Sequence, residues 1–365
     1  MDPRITKLAK VLVHYSLKLK KGQVLKIIGE VPGLPLVTAA YQEAIEVGAL
    51  PYTMIKVPEN EEYLMKKGNQ KQVEFIPPFA KVEVNKMDAM LAIWGTQNTR
   101  QMSGSDPKKQ ALQRKAMQPL FTKIFKRHAA GEMRWVGTQF PTLADAQEAD
   151  MSLADYEDFV YKAGHIHAAD PVKHWKKVAK EQNRLVKILN RFKEIHVQAP
   201  DTDVKLNVKG RKWINCAGTE NFPDGEIFTS PIENSAQGVI RYTFPAVYSG
   251  RQVEDVRLEF KNGKIVNESA GKNKKFLTAM LDMDKGARFL GEFAIGTNYE
   301  IKQFTSNTLF DEKIGGTCHL AAGASIPEAG GVNKSGLHWD MVCDLKKGEI
   351  KADGKVIYSK GKFRI

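Results

Sequence analysis

Leu337-His338-Trp339-Asp340-Met341-Val342-Cys343-Asp344 alternates apolar and polar side chains with a period of two. Leu337, Trp339, Met341 and Cys343 form one apolar face. His338, Asp340 and Asp344 lie on the other, with Val342 between them. That period predicts a β-strand with one side on a core and the other carrying polar groups. His338 and Asp340 then project the same way, roughly 7 Å apart along the backbone. An imidazole nitrogen and a carboxylate oxygen so placed suit a borderline divalent metal. Taken alone, the pair fits an edge strand with one wet face better than a metal site, so the upstream residues decide.

Three upstream stretches carry further donors. Glu226 follows Pro223-Asp224-Gly225, a turn that delivers a carboxylate to the mouth of the strand Ile227-Phe228. Alone it reads as an exposed turn acid. Glu292 sits in Phe289-Leu290-Gly291-Glu292-Phe293-Ala294-Ile295-Gly296. Burying a carboxylate in such a run costs on the order of several kcal/mol unless it is neutralised, paired or bound to a cation. His319 lies in Thr317-Cys318-His319-Leu320-Ala321-Ala322-Gly323, where small residues let the backbone pack tightly beside a site. Of the 8 histidines, only His319 and His338 fall after residue 196. Glu226, Glu292, His319, His338 and Asp340 together are too many donors for one catalytic zinc with three ligands and a water. They suit two metals sharing bridging carboxylates.

The 365 residues exceed what one compact core usually holds, so two domains are expected. Hydrophobic and charged contents of 42% and 27% are ordinary for a soluble globular protein. The Met-Asp-Pro-Arg-Ile start opens directly into an amphipathic pattern, with no signal region and no apolar run of membrane-spanning length, so a cytoplasmic location is expected. Cys216, Cys318 and Cys343 are scattered and odd in number, which argues against a disulfide framework. A net charge of +13 raises the question of nucleic acid. Its densest part, Lys173 to Lys193, also carries Trp175, Val178, Leu185, Leu189 and Phe192 at helical spacing. That segment reads as an amphipathic helix, begun by Asp170-Pro171, with a basic solvent face. No nucleic-acid signature accompanies it, and a nucleic-acid partner is not expected.

The first half alternates helix and strand. A helix from Asp2-Pro3 carries Ile5, Leu8, Leu12, Tyr15 and Leu19 on one stripe. Strands are predicted at Val24–Ile28, Tyr52–Val57, Met90–Trp94 and Trp135–Gly137, with a helix at Leu36–Val47. This is an α/β pattern: a largely parallel sheet flanked by helices. The turn Gly29-Glu30-Val31-Pro32-Gly33 lacks the glycine spacing of a dinucleotide site. From about Glu194 the chain becomes mostly strand and turn, with segments at Ile195–Val197, Val204–Val208, Val239–Phe244, Val253–Phe260 and Ile265–Asn267. Asn262-Gly263 and Asp353-Gly354 mark tight hairpins, and Lys274 to Gly286 is helix-like. The expected organisation is an α/β domain at 1–193, then a β-rich α+β domain at 194–365 that carries the metal site.

These segments resemble the metallo-aminopeptidase family typified by aminopeptidase T and aminopeptidase S. The likeness runs through the Met-Asp-Pro-Arg-Ile opening, Gln147 to Leu153, Pro223 to Pro231, Leu290 to Gly296 and Asn333 to Asp344. It implies a peptide hydrolase that removes N-terminal residues, often apolar ones. It also implies two divalent ions (zinc, cobalt, manganese or magnesium) on Glu226, Glu292, His319, His338 and Asp340, and a homodimer enclosing a chamber. Glu226 and Glu292 are the candidate bases. One position departs from the family pattern: Ile326, before Pro327, stands where members commonly carry a tyrosine. Losing a hydrogen-bond donor to the reacting group can cost roughly 10²–10³ in rate. A catalytically weakened relative that binds metal or anions is therefore the alternative.

Overall fold

A computed structural model describes residues 2–365. The chain divides into two compact units, one running to Val172 together with Gly218–Phe222, the other comprising Lys173–Ala217 and Pro223–Ile365.

The first unit is built on a five-stranded sheet in the order Leu50–Lys56, Val24–Glu30, Ala89–Trp94, Arg134–Gln139, Asn221–Phe222. Every pairing is parallel, as the alternation of helix and strand predicts. Leu25, Ile27, Leu91, Ile93 and Val136 are buried, the near-continuous apolar pattern of strands covered on both faces. The N-terminal helix Pro3–Lys10 starts where Asp2 accepts a hydrogen bond from the Arg4 amide at 2.8 Å. It passes into a wider π turn at Val11–Ser16. Ile5, Leu8, Leu12, Tyr15 and Leu19 are all buried. The last strand, two residues long, comes from beyond residue 217 and left no periodic trace in the sequence.

The second unit pairs two antiparallel sheets. One has eight strands, from Lys264–Ser269 at one edge to Lys362–Phe363 at the other. The second runs His338–Asp344, Thr317–Gly323, Leu290–Gly296, Glu226–Thr229, Ile214–Cys216. Between them lies one core holding Ile195, Val197, Val204 and Leu206 with Ile227, Phe293, Ile295, Leu320, Trp339 and Met341. Complete burial of such side chains contributes about 1.5–3 kcal/mol each. The helix Pro171–Leu189 adds Leu185 and Leu189 to this core. From Lys173 onward this helix therefore belongs to the second unit.

Turn chemistry follows the sequence closely. Asn262 and Gly263 have φ of 51° and 79°, and Asp353 and Gly354 have 46° and 80°, the left-handed pairs of tight hairpins. The helix after Asn273 ends at Leu281, short of Gly286. Val253–Phe260 is not one strand. Arg251–Val253 forms a ribbon with Ala246–Tyr248, the chain breaks at Asp255 with φ 52°, and Arg257–Lys261 enters the large sheet. Among the described residues, no helix is long and apolar enough to cross a membrane.

Candidate metal centre

The strand His338–Asp344 fixes the geometry. Leu337, Trp339, Met341 and Cys343 are at most 1% exposed and face the core. Pairing brings Ala321 opposite Asp340 and Gly323 opposite His338, and on the next strand sets Glu292 opposite Ala321 and Ala294 opposite His319. Directly opposed residues in an antiparallel pair share a face. His338, Asp340, His319 and Glu292 therefore emerge on the side away from the core, with small residues between them. Glu226 enters from the neighbouring strand, opposite Gly296.

Two glycines make the approach possible. Gly225 has φ 126°, and a Cβ there would stand 2.8 Å from Asn298 Cβ. Its carbonyl accepts from the Thr297 amide at 2.8 Å, while Asn298 Nδ2 donates to Asp224 O at 2.8 Å. Gly323 has φ 106°, and a Cβ would stand 2.2 Å from Leu337 O. The chain can turn there only as glycine.

All five residues singled out in the sequence come together. His319 Nε2 lies 3.4 Å from Glu292 Oε1, 3.6 Å from Glu226 Oε2 and 3.8 Å from Asp340 Oδ1. His338 Nε2 lies 3.4 Å from Glu292 Oε2 and 3.5 Å from Asp340 Oδ1. The far ring nitrogens are engaged: His319 Nδ1 meets Glu312 O at 3.1 Å and His338 Nδ1 meets Ala324 O at 2.8 Å. A carbonyl can only accept, so each Nδ1 carries hydrogen and each neutral ring turns an Nε2 lone pair inward. That is how metal-binding imidazoles are oriented. Glu226, Glu292 and His319 offer donor atoms within 4.8 Å of one another, and so do Glu292, His338 and Asp340. Glu226 Oε2 and Asp340 Oδ1 are buried without a hydrogen-bond partner. A buried carboxylate oxygen left so is costly, and a cation between these groups would satisfy both.

Charge reinforces the fit. Burial pushes Glu226 up to about 8, helped by Glu312 and Glu292 and opposed by Lys313 and His319. Burial also works against ionised Glu292, but hydrogen bonds from His319 and His338 outweigh it and hold that carboxyl below its ordinary value. Burial would lower His319, yet Glu292, Glu226 and Asp340 raise it to about 9. His338 is raised well above its ordinary value by Asp340 and Glu292, again against burial. The same surplus of negative charge that raises both imidazoles would favour a divalent ion bound among these groups.

Sequence reasoning missed Glu312 and Lys313. Glu312 forms a further donor group with His319 and Asp340 within 4.8 Å, and burial raises its pKa. Lys313 is wholly buried, 3.0 Å from Glu226 Oε1. Both belong to Asp311-Glu312-Lys313, a charged triplet between Leu309-Phe310 and Ile314-Gly315. The short apolar flanks are the sole hint in the sequence, and they do not mark the triplet as buried. Neighbouring Asp311 is buried too, accepting from the Thr305 amide and hydroxyl at 2.7 and 2.9 Å. Ile326 follows the His319 strand; its amide donates to Ser230 Oγ at 3.2 Å, and its side chain offers no donor.

A family model described as thermophilic metalloprotease (M29) matches residues 1–363. Aminopeptidase 2 of Geobacillus stearothermophilus is 27% identical, over 97% of this chain and 95% of that protein. Aminopeptidase T of Thermus aquaticus is 25% identical, over 96% of this chain and 94% of its own. A solved structure described as wild-type AmpT from Thermus thermophilus matches with a TM-score of 0.87 at 23% identity, covering 100% of this chain and 99% of the other. At that identity the likeness speaks for the fold.

Proposed function

The chain belongs to the thermophilic metalloprotease (M29) family, and from that premise we propose that it is an aminopeptidase. It releases N-terminal residues from peptides, and Glu226, Glu292, His319, His338 and Asp340 would hold two divalent ions for that reaction. The observation that carries this reading is the convergence of two inward-facing Nε2 atoms with three carboxylates, two of which leave a buried oxygen unpartnered. Charge balance favours two ions over one. Asp224, Glu226, Glu292, Glu312 and Asp340 bring five negative charges when ionised, Lys313 brings one positive, and two dications make up the rest.

Bound there, two divalent ions would supply Lewis acidity for the scissile amide and the attacking water. The remaining work falls to the chain. His338, with a side chain 32% exposed, marks the mouth, while His319 at 1% marks the floor. Ala294, Ala321 and Gly323 leave room between the donors. Phe228 and Val342, which share the face of His319, offer an apolar wall to the N-terminal side chain. The proton of the attacking water needs an acceptor that can pass it to the leaving amine. Glu312 suits that role better than Glu226 or Glu292, whose carboxylates are committed as ligands. It reaches the group formed with His319 and Asp340, and its side chain stays 14% exposed.

The hydrocarbon side chain of Ile326 favours a second reading, in which metal is bound but turnover is slow or absent. One assay separates the two. The purified chain, loaded with zinc, cobalt, manganese or magnesium, is expected to release leucine from a leucyl chromogenic amide. A chelator should stop the reaction and added metal restore it. Hydrolysis that persists through chelation, or no hydrolysis at two bound ions, contradicts the aminopeptidase reading.

A further inference from the structure

Beside the metal-facing carboxylates lies a second acidic pocket, and a lysine fills it. Lys313 is wholly buried, with Nζ 3.0 Å from Glu226 Oε1 and 4.0 Å from Asp224 Oδ1, and it also contacts Glu312 Oε1. Cys216 closes the pocket from the next strand, where it pairs with Glu226. Its Sγ and carboxylate oxygens of Asp224 and Glu226 lie within 4.8 Å of one another. A thiolate with two or three carboxylates is a donor set that takes a divalent transition metal. Here an ammonium stands among those groups.

The two oxygens of Glu226 are consequently divided. Oε1 meets Lys313, while Oε2 has no hydrogen-bond partner and lies 3.6 Å from His319 Nε2. A carboxylate gripped at one oxygen presents a single, fixed donor on the other side. Lys313 follows Glu312, whose carbonyl also meets His319 Nδ1. One short segment thus sets both a ligand imidazole and a ligand carboxylate.

We propose that Lys313 is a built-in cation. Its ammonium fills a third cation pocket bounded by Cys216, Asp224, Glu226 and Glu312, restricts the centre to two metal ions, and leaves Glu226 only Oε2 to offer them. This rests on the two-ion reading for the neighbouring groups and adds what limits the count. Lys313 is a positioning residue and touches no substrate. Emptying its place while leaving room converts the pocket into a metal site with a sulfur ligand, because a coordinated thiol is held as the thiolate.

The test titrates the metal-free, full-length chain with cobalt(II), counting bound ions by elemental analysis and recording the near-ultraviolet thiolate-to-cobalt band. The wild-type chain is expected to take two ions and show no thiolate band even with excess cobalt. A band there overturns the proposal. Lys313→Ala is expected to take one ion more than wild type and to show the band, and Lys313→Ala combined with Cys216→Ser should lose the band. An unchanged ion count without a band in Lys313→Ala also overturns it. Lys313→Arg keeps the charge and should behave as wild type, so a third ion in that variant contradicts the proposal even if the alanine variant does not fold. Fewer than two ions in wild type would instead sink the two-ion reading, because the role of Lys313 is read from the difference between variant and wild type.

Discussion

Glu292→Gln is expected to lower metal-dependent leucyl-amide hydrolysis by about a thousandfold or more and to reduce the bound metal from two ions to one. Glu292 belongs to both donor groups formed by the five residues, and it sends Oε1 to His319 and Oε2 to His338 at 3.4 Å each. Glutamine keeps the shape but replaces one acceptor oxygen with an amide nitrogen that only donates. One donor group must therefore lose its shared ligand. A loss of about 4 kcal/mol in transition-state stabilisation corresponds to roughly a thousandfold in rate. His338→Ala removes an Nε2 donor from one group only, strands Ala324 O, and is expected to cost one ion as well. Steady-state kinetics and metal analysis on the same preparations check both variants. Full activity with two ions in either one removes the assignment.

The second large effect is on stability. Chelation is expected to lower the melting temperature of the second unit by roughly 15–30 °C, and returning metal should restore it. Glu226, Glu292 and His319 are each at most 6% exposed, so the metal-free centre concentrates charge away from water. An ion bound only by the folded chain contributes about 4 kcal/mol when present at a thousandfold over its dissociation constant. Two ions then contribute about 8 kcal/mol. A domain of this size gains roughly 2–4 °C per kcal/mol. Calorimetry with and without chelator measures the shift, and a change under about 2 °C would mean that the buried carboxylates are satisfied without metal.

Much of this was legible because periodicity carries burial. The alternation at 337–344 placed Trp339 and Met341 in the core and Asp340 beside His338 on the opposite face. The structure also explains why that segment alone resembles an edge strand with a wet face. It is the edge strand of its sheet, and Asp344 at its end is partly exposed. Glu292 stood out because an ionised side chain in an unbroken apolar run needs a partner. Glu312 and Lys313 were harder. They lie just past the one-turn helix Thr308–Asp311, where no period distinguishes a buried charged pair from a solvated turn. Lys313 is recognised only once Asp224 and Glu226, nearly ninety residues upstream, are seen around it. The strand Asn221–Phe222 escaped for a similar reason. Two residues carry no alternation, and their parallel pairing with Gly137 and Thr138 is a tertiary fact.

The most direct measurement is anomalous diffraction from crystals of the full-length chain loaded with zinc or cobalt. Two peaks about 3.5–4 Å apart, one beside Glu226, Glu292 and His319 and the other beside Glu292, His338 and Asp340, are the predicted result. Peaks located away from these side chains, or none at saturating metal, would contradict it.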